Sequence, residues 1–406
     1  RGADPAQQTT AVGLDGLRGQ SRMIDAAQPQ PHHQQHRQLP IAHQIDLFQR
    51  GRQRCQPAAH AFHHHRIGAR AIENRARHVG AIRLEGGHDL VDAGEQVLVL
   101  DNLSTGFISA LPRPMLPIVG DVGDQALVAS LIEQHKVEAI IHFAGSTIVP
   151  ESMKDPLGYY GNNTANSRAL IEAAVKGGVK HFIFSSTAAV YGNPVHVPVF
   201  EDDPTVPLSP YGWSKLMTEQ MLRDTSAAHP LSHIALRYFN VAGADPKLRT
   251  GLQTPGATHL IKVAVEAALG RRERIDVFGS DYDTPDGTCV RDFIHVSDLA
   301  RAHRAALNFL RAGGKSQTLN CGYGRGYSVR EVLDAVTRGV GHPFPVKFAD
   351  RRPGDIVVSV AGATRIRYVL DWKPEFQDLD TIVGHALAWE HKLKAKDTPL
   401  REAISA

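Results

Sequence analysis

Five stretches of near-continuous apolar residues, each of strand length and most followed by a helical pattern, constrain this chain more than any other feature. They read QVLVLDN (96–102), LPIVGDV (116–122), EAIIHFAG (138–145), HFIFSST (181–187) and HIALRYFN (233–240). A strand with one face in water alternates apolar and polar residues; a strand covered on both faces need not. Helical patterns at 124–135, 156–177, 210–228 and 258–270 fall between and after them, which is the order of βαβ units around a parallel sheet. The expected architecture is α/β, with a doubly wound parallel sheet over 89–240. A smaller C-terminal α/β domain over 241–406 has helices near 297–312, 328–339 and 377–396, and its 297–325 stretch is expected to return to the first domain.

The first 88 residues have a different texture. They hold 12 Arg, 10 His, 12 Gln and no Lys, and the first lysine of the 406-residue chain is Lys136. No period of 3.6 or 2 is sustained there, and PHHQQHRQ and AFHHHR are biased runs. The clusters His32, His33, His36 and His63, His64, His65 read as solvated rather than metal-ligating. Gly13, Gly16 and Gly19 mimic a dinucleotide turn but have no strand before them and no packing helix after them. The segment is basic, yet Phe48 and Phe62 are its sole aromatics, so no nucleic-acid partner is expected. Three cysteines (Cys55, Cys289, Cys321) are too few for a disulfide scaffold or a multi-cysteine zinc site, and no metal is expected. With no apolar run long enough to span a bilayer and no secretory layout at the start, a reducing cytoplasm and no membrane partner are expected.

The sharpest chemical pattern is Tyr211-Gly-Trp-Ser-Lys215. Ser209 can cap a helix that begins at Pro210. On it Tyr211 and Lys215 are i and i+4, hence on one face. An ammonium beside a phenol favours the phenolate, and such a tyrosine can serve as general base toward an alcohol. Thr187 ends a strand, where open α/β sheets bind ligands, and can hydrogen-bond the reacting oxygen or cap the turn after the strand. Asp101, at another strand end, can accept from both hydroxyls of an adenosine ribose and would repel a 2′-phosphate, which favours NAD over NADP. Asp121 at the next strand end can accept from an adenine amino group. Phe143, Ala144, Gly145, Ser146 and Thr147 close a further strand with small residues that let backbone approach a dinucleotide.

Residues 89–406 resemble the extended short-chain dehydrogenase/reductases, in the NAD-dependent epimerase/dehydratase branch. The matching pieces are LVDAGEQVLVLDNLSTG, GDVGD, HFAGSTIVPES, YYGNN, FIFSSTAAVYG, SPYGWSKLMTEQ, LRYFNVAGA, FGSDYDTPDGTCVRDFIHVSDLA, LNCGYGRGYSV and RRPGD. The resemblance implies a Rossmann-like fold, bound NAD, a UDP-sugar substrate, a homodimer, and interconversion of UDP-glucose and UDP-galactose by transient oxidation at C4. It implies NAD contacts at Asp101, Asn102, Leu103, Ser104, Thr105, Gly106, Asp121, Val122, Phe143 to Thr147, Asn162, Tyr211, Lys215 and Phe239. It implies catalytic roles for Tyr211, Lys215 and Thr187. UDP-sugar positions fall on Thr187, Asn240, His259, Leu260, Asp276, Val277, Phe278, Arg291, Arg352 and Asp355, with His259 standing where some members carry asparagine. The planar guanidinium fork suits a diphosphate.

One part of the family pattern is missing. The family opens with a strand and the turn T-G-G-x-G-[FY]-I-G-S, whose backbone N–H groups and helix N-terminus meet the pyrophosphate. The corresponding window reads ARHVGAIRLEGGHDLVDAGEQ, in which Gly86-Gly87 does not rebuild the turn. The first strand and glycine loop are therefore expected to be absent. Residues 1–88 are expected to be no evolved module but the product of a shifted frame or misassigned start, joined near Asp89. Alternatives to the epimerase are a related nucleotide-sugar epimerase or dehydratase, and an inactive homologue unable to hold NAD. Ala188-Ala189 after Thr187, where a dehydratase would carry an acidic pair, argues against a dehydratase.

Overall fold

The computed structural model describes residues 78–80, 84–112, 115, 117–254, 256–352 and 354–405. Arg1–Ile72 and Glu73–Ala406 separate as two units. All of the first lies outside the described residues, as do its histidine clusters, Cys55 and the glycines at 13–19.

The chain order of the second unit opens with β1 (His78–Gly80), α1 (Leu84–Asp92), β2 (Gln96–Leu98), β3 (Leu100–Asp101), β4 (Ile118–Val119), α2 (Gln125–His135) and β5 (Val137–His142). Then come α3 (Val149–Ser152), α4 (Pro156–Tyr159), a π-helical stretch Tyr160–Ala165, α5 (Asn166–Lys176), β6 (His181–Thr187), α6 (Pro210–Ala228) and β7 (Ser232–Tyr238). The remainder is β8 (Asn240–Ala242), α7 (Leu260–Ala268), β9 (Ile275–Phe278), β10 (Val290–His295), α8 (Val296–Arg311), β11 (Gln317–Cys321), β12 (Gly326–Ser328), α9 (Val329–Val340), β13 (Val346–Ala349), β14 (Val358–Ser359), α10 (Thr364–Leu370) and α11 (Leu379–Ser405).

Six strands make one parallel sheet in the order β11-β7-β6-β5-β1-β2. β3 continues the course of β2 past Val99 and pairs in parallel with β4. The sheet turns direction between β1 and β5, because the chain leaves β1 for β2 on one side and returns to β5 on the other. Such a switch point opens a crevice at the strands' carboxyl ends.

The apolar runs follow from two-sided burial. Along β5, Ala139 and Ile141 enter one core, while Ile140 between them enters another on the opposite face. β6 divides Ile183 from Phe182 and Phe184, and β7 divides Ile234 and Leu236 from Ala235, in the same way. Successive side chains point to opposite faces, so a doubly covered strand is apolar throughout.

The structure corrects one expectation. The central position expected to be vacant is filled by β1, three residues long, which pairs with both β2 and β5. The reason is that a parallel sheet missing a middle strand leaves two rows of unpaired backbone groups, which His78–Gly80 satisfies. Gly86 and Gly87 lie inside α1, so they form no turn. β10 carries a second, smaller sheet, pairing with β12, β14 and β8, and β9 pairs with β13.

Buried histidines set the response of this unit to acid. Burial first, with nearby cations at three of the four, holds His142 and His295 at about 3 and His233 and His303 at about 4, against an ordinary 6.5. Below 6.5 the unfolded chain takes up protons that the native chain refuses. Stability therefore falls as pH drops from 6.5 toward 4, by up to roughly 1.4 kcal/mol per histidine per pH unit. Asp292, pushed up to about 6 by burial, opposes this with one proton. Urea midpoints are expected to be lower at pH 5 than at pH 7; a midpoint that holds or rises would count against this account.

Candidate active site

Ser209 caps α6 by accepting from Gly212 N at 3.2 Å, and Pro210 occupies the first turn. The helix then carries Tyr211 and Lys215 on one face. Lys215 is 3% exposed, and its Nζ lies 5.0 Å from the centroid of the Phe184 ring. Gly212 packs so closely on the turn after β6 that a Cβ there would sit 2.8 Å from Ala189 O. Thr187 Oγ1 accepts from Ala189 N at 3.1 Å and so caps that turn. The turn that Thr187 caps is thus in tight backbone contact with Gly212, the residue after Tyr211.

Opposite Lys215 is the end of β5. Gly145 has φ +149°, and a Cβ on it would lie 2.9 Å from Asn163 Oδ1 and 3.5 Å from Lys215 Nζ. The side chain of Asn163 brackets Ser146, accepting from its N at 2.7 Å and donating to its O at 3.0 Å. It also donates to Ser214 Oγ on α6 at 3.0 Å. Asn162 donates to Ser146 Oγ at 2.9 Å. Phe143 lies against His303, with ring centroids 4.6 Å apart.

At β3 and β4 a second cluster forms. Asp101 accepts from Leu103 N at 2.7 Å, and Ser104 N donates to Asn102 Oδ1 at 3.1 Å. Asn102 reaches Asp121 at 3.1 Å, and Asp121 also accepts from Gly123 N at 2.7 Å and Asn166 at 3.0 Å. A Cβ on Gly106 would lie 2.9 Å from both Asp101 carboxylate oxygens, so the loop through Thr105 folds back onto them. Val122 and Phe239 are buried and can offer a ligand little beyond backbone and edge.

In the C-terminal part, Arg352 forks onto Asp355 with two bonds of 3.1 Å, and its guanidinium lies 4.5 Å from the centroid of the exposed Phe278 ring. Val277 between is buried, and Asp276 pairs with Arg274 at 3.0 Å. Arg291 donates to Val290 O at 2.9 Å and Val357 O at 3.3 Å. Asn240 pairs with Phe293 through β8 and β10, and His259 and Leu260 begin α7. The structure brings Tyr211, Lys215, Thr187 and Gly145 to Ser146 together, Asp101 to Gly106 with Asp121, and Arg352 with Asp355 and Phe278.

Sequence reasoning missed the groups behind these. Glu219 and Arg237, 2% and 4% exposed, form a buried fork with bonds of 3.0 and 2.7 Å. Ser186 also donates to Glu219. Arg237 further reaches Tyr191 at 2.8 Å, which donates to Asn320 at 2.6 Å. Signals existed: Glu219 repeats the spacing of Tyr211 and Lys215, and an arginine inside HIALRYFN demands a buried carboxylate.

Residues 88–322 match the model of the NAD dependent epimerase/dehydratase family, and the chain belongs to that family. A protein of Azospirillum brasilense named UDP-glucose 4-epimerase is 57% identical over 307 residues, 76% of this chain and 88% of its own length. The crystal structure of UDP-glucose 4-epimerase from Brucella ovis in complex with NAD superposes with a TM-score of 0.74 at 40% identity, covering 77% of this chain and 97% of that one. The enzyme from Bifidobacterium longum, in complex with NAD+ and UDP, gives 0.73 at 36%, covering 78% and 98%.

No side chain has room at Gly106 or Gly145, where a Cβ would meet the Asp101 carboxylate and the Asn163 amide, so these two turns present backbone. The link between β1 and α1 reads Ala81-Ile82-Arg83, without glycine, and lies outside the described residues.

The buried fork yields a direct test. Glu219→Ala leaves the Arg237 guanidinium buried without its partner, and is expected to lower unfolding stability by about 3–5 kcal/mol. Urea denaturation reads this, and a loss below about 1 kcal/mol, the scale of an exposed pair, would refute it.

Proposed function

We propose that the chain is an NAD-dependent UDP-hexose 4-epimerase that interconverts UDP-glucose and UDP-galactose. The observation that carries this reading is the meeting of Tyr211, Lys215 and the turn after Thr187 on one side with Gly145 and Ser146 on the other, at the carboxyl ends of neighbouring parallel strands. NAD would be held by Asp101 to Gly106 and Asp121 at its adenosine end, and by Gly145, Ser146, Asn162, Lys215 and Phe239 at the other. When bound, it supplies a hydride acceptor for C4 of the sugar and the source from which the hydride returns.

Tyr211 takes the proton of the 4-hydroxyl as C4 is oxidised and gives it back as the 4-ketone is reduced. Lys215 favours the phenolate electrostatically. Thr187 hydrogen-bonds the 4-oxygen. Arg291 and Arg352 neutralise the diphosphate, and Asp355 accepts from the uridine ribose once Arg352 turns to the phosphates. The UDP is gripped through charge while the hexose is free to present either face.

The same reading takes residues 89–240 as the cofactor domain and 241–406 as the substrate domain. A homodimer is supported by Met153 just past α3, Leu157 on α4, and Trp213 and Met217 on α6, apolar and exposed on neighbouring elements. A reducing cytoplasm is supported by Cys289 and Cys321, both free and buried. Among the described residues no helix is long and apolar enough to cross a membrane.

Interconversion measured with and without added NAD tests the reading, and no turnover in either would overturn it. Tyr211→Phe is expected to lower kcat by about 10²–10⁴-fold or more while UDP affinity by calorimetry holds. Unchanged turnover in that variant would contradict the assigned base.

A further inference from the structure

A histidine that no step of the proposed chemistry uses lies under the catalytic residues. His142 ends β5, is 1% exposed, and places Nε2 2.8 Å from Ser167 Oγ on α5. The Ser167 hydroxyl donates to Asn163 O, one turn earlier. A hydroxyl has one proton to give, so toward His142 it accepts. That fixes the imidazole as the Nε2–H tautomer. Nδ1 is left as a bare acceptor, with no partner among the described residues.

The bonds continue from Asn163. Its amide is fully used: Oδ1 accepts from Ser146 N, and Nδ2 gives one proton to Ser146 O and the other to Ser214 Oγ. Ser214 in turn donates to Tyr211 O at 2.7 Å. His142, Ser167, Asn163 and Ser214 therefore join the end of β5 to the catalytic helix, and Asn163 sets where the Gly145–Ser146 backbone stands relative to Lys215. His142 and Lys215 also share a floor. The imidazole lies 5.7 Å from the Phe184 ring, over which Lys215 Nζ is placed at 5.0 Å. The groups packed on the imidazole, Phe182 and Phe184 on β6 and Ser167 on α5, carry no charge. Lys215 on α6 is the charged group that acts on it, and after burial is the second cause holding it at about 3.

We infer that His142 is a positioning residue of this site: by donating from Nε2 to Ser167 it holds that hydroxyl on the Asn163 main-chain carbonyl, and so fixes the turn that carries the Asn163 side chain and, through it, the separation of the Gly145–Ser146 turn from the Tyr211–Lys215 face of α6. The inference rests on the catalytic reading of Tyr211 and Lys215 given above. It predicts that the donor matters and the ring does not.

His142→Leu removes the donor, and His142→Gln keeps an N–H that can reach Ser167. The Leu variant is expected to lose about 10–100-fold in kcat. Its KM for the UDP-hexose should stay close to wild type, because Arg291, Arg352 and Asp355 are untouched. Its acid limb of kcat should move to higher pH, since a displaced Lys215 favours the phenolate less. The Gln variant should recover most of the rate and the original limb. A structural role alone would lower the melting temperature and leave that limb in place. Wild-type kcat and pH profile in the Leu variant, or a Gln variant as slow as Leu, would overturn the inference. Nitrogen chemical shifts of His142 in the wild-type chain read the tautomer whether or not the protein turns over, so failure here is separable from failure of the proposed activity. An uncharged Nε2–H imidazole down to about pH 5 is expected; an Nδ1–H form, or protonation near 6.5, would overturn it.

Discussion

Arg237 brings a guanidinium into the middle of a parallel sheet, and a charge in that position has to be matched. Glu219 matches it from the catalytic helix, and Ser186 from the strand beside it takes the remaining place on the carboxylate. These bonds are directional, so they fix rotation and translation of α6 over β6 and β7 as well as its distance from them. Tyr211 and Lys215 stand two turns and one turn before Glu219. Their placement over Thr187 therefore depends on an ion pair that takes no part in the chemistry. The apolar contacts of α6 could tolerate a slide that the fork cannot.

The same principle orders the opposite wall. The turn after β5 carries Gly145 at φ +149°, a conformation that side-chain-bearing residues rarely hold. Such a turn needs external bonds to define it, and Asn163 supplies them to both the N–H and C=O of Ser146. The site is thus built from two buried polar clusters, each tied to a strand end and each contributing one wall.

This division explains what could be read from sequence. The long strands were legible because burial on both faces makes them apolar throughout, and Y-x-x-x-K was legible because residues four apart on a helix share a face. β1 was not, since His-Val-Gly carries no pattern of its own and is a strand because β2 and β5 flank it. β9, β13 and β14 are short and partly exposed, and their pairing depends on partners distant in the chain. The polar clusters were hidden for a related reason. His142 reads as one more residue of EAIIHFAG, and Asn163 as one of a pair of asparagines. Their roles come from Ser167 and Ser214, hydroxyls whose proton assignments exist in three dimensions alone. Asp101 and Asp121 were legible as strand-end carboxylates, but the asparagines that organise them, Asn102 and Asn166, were legible only in part.

Burial also separates the two halves of the site. His142, Asn163, Glu219 and Arg237 are 1%, 2%, 2% and 4% exposed. The side chain of Arg352 is 54% exposed, held by Asp355 and the face of Phe278. Proton and hydride transfer tolerate little displacement of the reacting atoms, so the groups that fix the base belong in a close-packed interior. A diphosphate is recognised by charge over a longer range, and a solvated arginine with a weakly held partner can exchange that partner for a ligand at small cost. A reaction that must expose both faces of one sugar carbon to the same reactive centre needs this asymmetry: close-packed walls around the atom that reacts, and a grip by charge on the part of the substrate that does not.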